Sequence, residues 1–255
     1  MIVKTEAIVL SAMKYRDTSK IVRLYTSEFG KISVIAKGAR DSKSKFRSAL
    51  QPMSYVLAVI YKNDNRELQL LSQCDAIRPF RYLTEDMEKM YSAMSALELV
   101  DIVTQDEEEN KQLFMLLLTI LELVNTATNS ALVPLYYFET KLSDLLGFQA
   151  NLYICSSCER DVEKMIEGNA MFTLARQGVF CSECSHHPSS LNTISSAALQ
   201  FLQRLQEIQN PETLMDLNLS PSVNEEVRHS LRQHLHQHIE GFRGLRSEEV
   251  FAAIL

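Results

Sequence analysis

Glycine and proline are scarce in this 255-residue chain, at seven and six, which leaves little room for low-complexity linkers. Long apolar runs are missing too. The longest, Leu113 to Leu118, reaches Ile120 and Leu121 only across Thr119 and stops at Glu122. That is well short of the ~20 residues that span a bilayer. The N-terminus, MIVKTEAIVL, reads as a strand rather than a signal peptide. Together these absences predict a soluble, cytoplasmic protein with no membrane partner. No G-x-x-x-x-G-K-[ST] loop, H-E-x-x-H or G-x-S-x-G occurs, and no spacing of acids demands acid–base chemistry. No catalytic residue is expected.

What is present is a globular composition, 46% hydrophobic, in a length that suits one large domain or two ordinary ones. The net charge of −6 hides a division. Residues 1–81 carry 15 Lys and Arg against 7 Asp and Glu, a net of +8, and the remainder carries −14. This asymmetry predicts a basic module for a polyanion joined to an acidic body with a different task.

The sign change coincides with a change of period. Thr5–Leu10, Ile21–Thr26, Lys31–Ala36, Tyr55–Tyr61 and Glu67–Cys74 read as strands, with Gly30 placed for a tight turn that needs positive φ. Ile32, Val34 and Ala36 fall on one face, Ser33 and Ile35 on the other. Five strands in a helix-poor, basic module fit a small closed barrel. The OB-fold is the commonest such barrel used for nucleic acid, and an SH3-like barrel satisfies the same pattern. Beyond Arg78–Pro79–Phe80 the apolar steps become three and four. Helices are predicted through Met87–Val100, Leu113–Val124, Leu132–Leu146, Ser195–Ile208 and Val223–Ile239, their apolar stripes forming a bundle core. The expected architecture is α+β. It has a barrel domain at 1–80 and a helical domain at 81–255, with a cysteine-bearing insert at about 152–186.

That insert holds Cys155, Cys158, Cys181 and Cys184, two C-x2-C pairs separated by 22 residues. Each pair can form a knuckle that presents two thiolates to one tetrahedral ion, and Gly168 and Gly178 suit the fold-back between them. A single structural Zn²⁺ is predicted. Four thiolates close the coordination shell and disfavour water activation. Disulfides and redox C-x-x-C chemistry fit less well in a chain without an export signal or a βαβ context. Cys74 is expected to be a small buried apolar residue. His186 and His187 are surplus to a full ligand set. His229, His234, His236 and His238 are expected on a solvated helix face.

Between Gly38 and Pro52 runs GARDSKSKFRSALQP, with Arg40, Lys43, Lys45 and Arg47 against one acid, Asp41. Such a loop can follow a phosphate backbone. Phe46 either stacks on a base, as in sequence-tolerant single-strand sites, or tucks into the barrel. Lys14, Arg16, Lys20, Arg23, Lys31 and Lys37 are expected to extend the positive surface.

The strings EAIVL (Glu6–Leu10), TSKIVRLYT (Thr18–Thr26), FGKISVIAKGAR (Phe29–Arg40) and ALQP (Ala49–Pro52) resemble the N-terminal barrel of the RecO family. LGF (Leu146–Phe148) before the cysteine pairs, and LRS (Leu245–Ser247), resemble its helical, zinc-bearing part. The resemblance covers most of the chain and is tightest over residues 6–52. It implies an OB-fold followed by a helical domain with a zinc-binding insert. It also implies a nucleoid-associated role in recombinational repair: binding single- and double-stranded DNA, annealing strands and, with RecR, helping to load RecA. The partners implied are DNA, RecR and the acidic C-terminal tail of the single-strand-binding protein. Read from residues alone, a zinc-dependent nucleic-acid hydrolase and a protein–protein adaptor without DNA affinity remain open.

Overall fold

The computed structural model describes residues 1–41, 44, 46, 49–63, 65–166, 171–175, 178–184 and 192–251. They form two compact units, Met1–Thr126 with Leu245–Leu255, and Ala127–Gly244. Packing therefore groups the chain differently from the change of period near residue 80, because the first two helices pack with the barrel.

In the first unit, β1 (Ile2–Tyr15), β2 (Ser19–Thr26), β3 (Gly30–Ala36), β4 (Tyr55–Tyr61) and β5 (Leu68–Arg78) close a barrel in the order β1-β2-β3-β5-β4. Every pairing is antiparallel except β3 with β5. This crossover decides for an OB-like barrel, which alternation along the strands left open. Val3, Ala7, Val9, Val22, Leu24, Ile32, Val34, Val56, Ala58, Ile60 and Leu71 fill the interior, with Cys74 buried among them. Alternation along each strand puts them there, since successive side chains point to opposite faces. β1 is long because it pairs on both sides, and a register shift between Val9 and Ser11 lets it bend.

Two longer helices belong to this unit as well. α1 (Met87–Val103) is capped by Asp86, whose side chain accepts from the Lys89 N–H. α2 (Lys111–Thr126) begins at Asn110, whose Oδ1 accepts from the Leu113 N–H at 2.9 Å. Phe114 of α2 packs on Tyr25 and Tyr55, its ring centre 6.1 and 6.5 Å from theirs. Both tyrosines pair with Ile8, so α2 covers an outward-facing apolar rung Tyr25–Ile8–Tyr55. Gly30 has φ +62°, and a Cβ there would lie 2.0 Å from the Glu108 carbonyl oxygen. The glycine both turns the β2–β3 hairpin and admits the α1–α2 loop.

A six-residue helix, α6 (Arg246–Phe251), returns to α1. Glu98 accepts from the backbone N–H of Arg246 at 2.8 Å and of Ser247 at 3.1 Å, so a carboxylate satisfies donors at the helix start. Ser95 and Ser247 share a hydroxyl bond at 2.9 Å, and Phe251 meets Tyr91 edge-on. The L-R-S string is thus a docking element.

The second unit contains α3 (Leu132–Leu145), α4 (Ser196–Glu207), α5 (Pro221–His238) and a small sheet. The sheet has the order β7-β6-β8, from β6 (Met171–Ala175), β7 (Gly178–Phe180) and β8 (Asn192–Ser195). Ser195 and Ser220 cap α4 and α5 by accepting from the N–H groups of Ala198 and Val223. Glu139 of α3, fully buried, pairs with Arg232 of α5 at 2.5 Å. No helix among the described residues is long and apolar enough to cross a membrane.

Candidate nucleic-acid interface and metal centre

Chain direction at the cysteine cluster is set by two backbone links. The Val179 N–H donates to the Asn151 carbonyl at 3.0 Å, and the Ser156 N–H donates to the Val179 carbonyl at 2.8 Å. They hold the turn after Cys155 beside β7, which leads into Cys181. The sulfurs of Cys155, Cys158, Cys181 and Cys184 all lie within 4.8 Å of one another. A tetrahedral zinc with Zn–S bonds of ~2.3 Å places its sulfurs ~3.8 Å apart. Cys158 and Cys181 have theirs 3.9 Å apart. Donor chemistry fits a metal as well. The Cys181 N–H points at the Cys155 sulfur at 3.4 Å, and the Arg160 Nε donates to Cys158 at 3.2 Å. Arg160 beside Cys158 pulls that thiol down to about 6, toward the thiolate a metal needs. Glu159, at φ +58°, makes the tight turn after the first pair.

The sequence reading did not single out Arg160 or its partner Glu183, 2.5 Å away. A cation two residues after a C-x2-C pair is the signal that would have found them. Gly178 keeps its expected place in the fold-back: φ is +131° and a Cβ would lie 2.5 Å from the Asn151 carbonyl oxygen. Gly168, His186 and His187 lie outside the described residues. His229 and His236 are exposed, as expected. His234 and His238 are not on a solvated face: both pack on Phe148, His238 stacked at 4.8 Å, and the His234 Nε2 lies 2.9 Å from the Phe148 carbonyl oxygen.

The basic residues of the barrel separate into two groups. Lys14 and Lys20 are cross-strand partners near the β1–β2 turn, and Lys20 also pairs with Ala36, just before Lys37. Arg40 reaches the same turn. Its guanidinium donates to the carbonyls of Arg16 and Asp17 at 3.0 and 2.9 Å, and its own N–H donates to the Thr18 carbonyl. Lys14, Arg16, Lys20, Lys37 and Arg40 thus gather at one end of the barrel, away from the Thr26–Gly30 hairpin. Like charges facing each other across strands, as Lys14 and Lys20 do, are unfavourable unless an anion relieves them. None of the five has an acidic partner among the described residues. Lys43, Lys45 and Arg47 lie outside the described residues.

Three residues of the expected DNA surface are placed otherwise. Phe46 is 4% exposed and belongs to the barrel core, so burial replaces base stacking as its role. Lys31 is buried as well. Its ammonium donates to the backbone oxygens of Asp101 and Thr104 at the C-terminal end of α1, where carbonyls lack helical partners. It therefore serves as an anchor for α1 and does not face a phosphate. Arg23 is half-exposed but forms two bonds, at 3.0 and 2.8 Å, with the Asp101 carboxylate.

Comparison with known proteins gives this geometry a context. The family model described as Recombination protein O N terminal matches residues 1–80, and that described as Recombination protein O C terminal matches residues 84–248. A protein named DNA repair protein RecO from Chloroherpeton thalassium is 31% identical over 255 residues, 98% of each chain. One of the same name from Salinibacter ruber is 32% identical over 254 residues, covering 99% of this chain and 94% of the relative. Another from Symbiobacterium thermophilum is 33% identical over 200 residues, 78% of each. With both family models matched in order and relatives aligned end to end, this chain belongs to the RecO family of DNA repair and recombination proteins.

Proposed function

We propose that this chain is a non-enzymatic recombination mediator that binds DNA and anneals complementary strands. With RecR, it would help load RecA on single strands coated by the single-strand-binding protein. The observation that carries this reading is the gathering of Lys14, Arg16, Lys20, Lys37 and Arg40 at one end of an OB-like barrel. The basic loop that holds Lys43, Lys45 and Arg47 leaves from that end, and its charges belong to the same proposal. Cations there neutralise the phosphates of two strands at once and lower their repulsion, so that base pairing can search. No bond to the DNA is made or broken, and no catalytic residue is required.

The four cysteines hold one structural Zn²⁺ in this reading, with Arg160 balancing thiolate charge. The ion ties the turn at Cys155 and Cys158 to that at Cys181 and Cys184 and leaves no open position for water. Single- and double-stranded DNA, RecR and the acidic C-terminal tail of the single-strand-binding protein are the proposed partners, in the cytoplasm at the nucleoid.

The test is a titration of labelled single-stranded DNA at several salt concentrations, followed by addition of the complementary strand. Each neutralised phosphate contributes about −0.7 to the slope of log K against log salt. A steep slope, with duplex formation faster than for DNA alone and without ATP, is expected. Salt-independent or absent binding would leave an adaptor in its place, and strand cleavage would make the chain an enzyme.

A further inference from the structure

In each C-x2-C pair the first cysteine is buried and the second is near the surface. Cys155 and Cys181 are 0% and 1% exposed, whereas Cys158 and Cys184 are half-buried. The hydrogen bonds that reach the sulfurs divide them further. Cys155 accepts from the Cys181 N–H at 3.4 Å, and the N–H groups of Ser157 and Cys158 point at it as well. Cys158 accepts from the Arg160 Nε at 3.2 Å and from the Arg160 backbone N–H. The same guanidinium lies 3.9 Å from the Cys181 sulfur and is held in place by Glu183 at 2.5 Å. Cys184 accepts from the Ser157 hydroxyl, and no N–H among the described residues reaches it. It is the ligand that combines access from solvent with the lack of an N–H donor.

On a bound zinc ion all four sulfurs are thiolates, so protonation no longer separates them. What separates them is how much of each sulfur's charge is already shared with a donor. An N–H bond to a thiolate weakens as the sulfur attacks an electrophile and loses its charge. A sulfur with fewer such bonds therefore reacts sooner, provided that the reagent can reach it. Burial removes Cys155 and Cys181 from this competition, and Arg160 restrains Cys158. Cys74 is buried in the barrel core and does not take part. Four thiolates around a divalent ion leave the centre anionic, and the cation beside it, Arg160, is already paired with Glu183. A small neutral reagent approaches such a centre more readily than an anionic one.

We infer that Cys184 is the reactive ligand of the metal centre and the site at which hydrogen peroxide modifies this chain. The inference rests on the zinc reading above. The Cys184 thiolate attacks one peroxide oxygen: an S–O bond forms, the O–O bond breaks and hydroxide leaves, which gives a sulfenic acid. A neighbouring thiolate then attacks that sulfur, since the four sulfurs lie within 4.8 Å of one another. A disulfide forms and a second hydroxide leaves. The two sulfurs lose two electrons and the peroxide gains them. Zinc, left with two thiolates, is released. The backbone links through Val179 still hold the turn after Cys155 beside β7, so the two pairs stay together without the ion. Reduction of the disulfide therefore restores the ligand set, and the zinc content of the chain follows the oxidant reversibly.

The experiment treats the full, zinc-loaded chain with limiting iodoacetamide, and peptide mass spectrometry reads which cysteine is alkylated first. Cys184 is expected to react about tenfold faster than Cys158, which is about 1.4 kcal/mol. Hydrogen peroxide in the presence of dimedone, which traps sulfenic acids, should mark Cys184 before the other ligands. Without dimedone, a zinc-chelating dye should report release under peroxide, and a thiol reductant should restore occupancy. Arg160→Ala removes the side-chain donor from Cys158 and should bring its alkylation rate up toward that of Cys184. First alkylation or dimedone capture at Cys155, Cys158 or Cys181 would overturn the inference. Zinc that stays bound under peroxide would do the same, as would an Arg160→Ala chain in which Cys158 reacts no faster. A full chain that takes up no zinc would instead sink the zinc reading, and this inference with it. If Arg160→Ala does not fold, the order of labelling in the unaltered chain decides.

Discussion

Lys31 on the barrel and Asp101 on α1 are joined twice: the ammonium donates to the Asp101 backbone oxygen at 2.7 Å and lies 3.4 Å from its carboxylate. Replacing Lys31 by Ala leaves α1 carbonyls unsatisfied beside the barrel. Hydrogen bonds to charged groups are worth about 1.5–3 kcal/mol, so a loss of that order in unfolding free energy is expected. Urea denaturation checks it. Lys37→Ala should do the opposite: leave stability within about 0.5 kcal/mol and flatten the salt dependence of DNA binding.

Phe46→Ala separates the two roles a sequence allows that residue. With the ring in the core, the substitution opens a cavity and is expected to destabilise the barrel by about 3–5 kcal/mol. The DNA affinity of the remaining folded fraction should be unchanged. Thermal melting followed by a salt titration measures both.

The buried pair Glu139–Arg232 predicts an asymmetry. Glu139→Ala strands a guanidinium in the interior and should destabilise the second unit by about 3–5 kcal/mol. Changing both residues to apolar ones of similar volume, Glu139→Met with Arg232→Met, is expected to recover most of that loss. A double-mutant cycle in urea tests the difference.

His234 gives the second unit a pH dependence. Burial, followed by the charge of His238, lowers its imidazole to about 4. In the unfolded chain the same group protonates near ~6.5. Between these values the unfolded state holds more protons, so stability is full above ~6.5 and falls as pH drops toward about 4. The difference amounts to ~3 kcal/mol. His234→Gln keeps a donor for the Phe148 carbonyl and should flatten the acid limb of a stability–pH curve.

Removal of the metal should act locally. One zinc per chain is expected by colorimetric release with a thiol-reactive mercurial, and Cys158→Ser should lower that occupancy and loosen the region around β6–β8. The salt slope of DNA binding, set by the barrel, should not move. A slope that fell with the metal would place part of the DNA surface at the cysteine cluster.

How much was legible follows from the range over which each signal acts. The strands were, because alternation is local: Ile32, Val34 and Ala36 are buried while Ser33 and Ile35 are not. The cysteine cluster was, because two C-x2-C pairs are chemically specific at any separation. The barrel topology was not, since β3 beside β5 is a choice between distant strands. Phe46 was ambiguous because an aromatic among cations reads the same whether it turns outward or into the core. Lys31 misled for a related reason. Its partners are backbone oxygens some seventy residues on, and no side-chain pattern announces a carbonyl. The short α6 left no periodicity to find, although its L-R-S string stood out.

That last helix sets an order of events during synthesis. The first unit includes Leu245–Leu255, so it is interrupted in sequence by the whole of Ala127–Gly244. Domains tend to fold from the N-terminus as the ribosome delivers them. Here the barrel, α1 and α2 emerge first, yet Glu98 and Ser95 wait for Ser247 through the translation of more than a hundred further residues. Throughout that interval the nascent chain presents α1 with its docking site open, and it closes only once Arg246–Phe251 has left the exit tunnel.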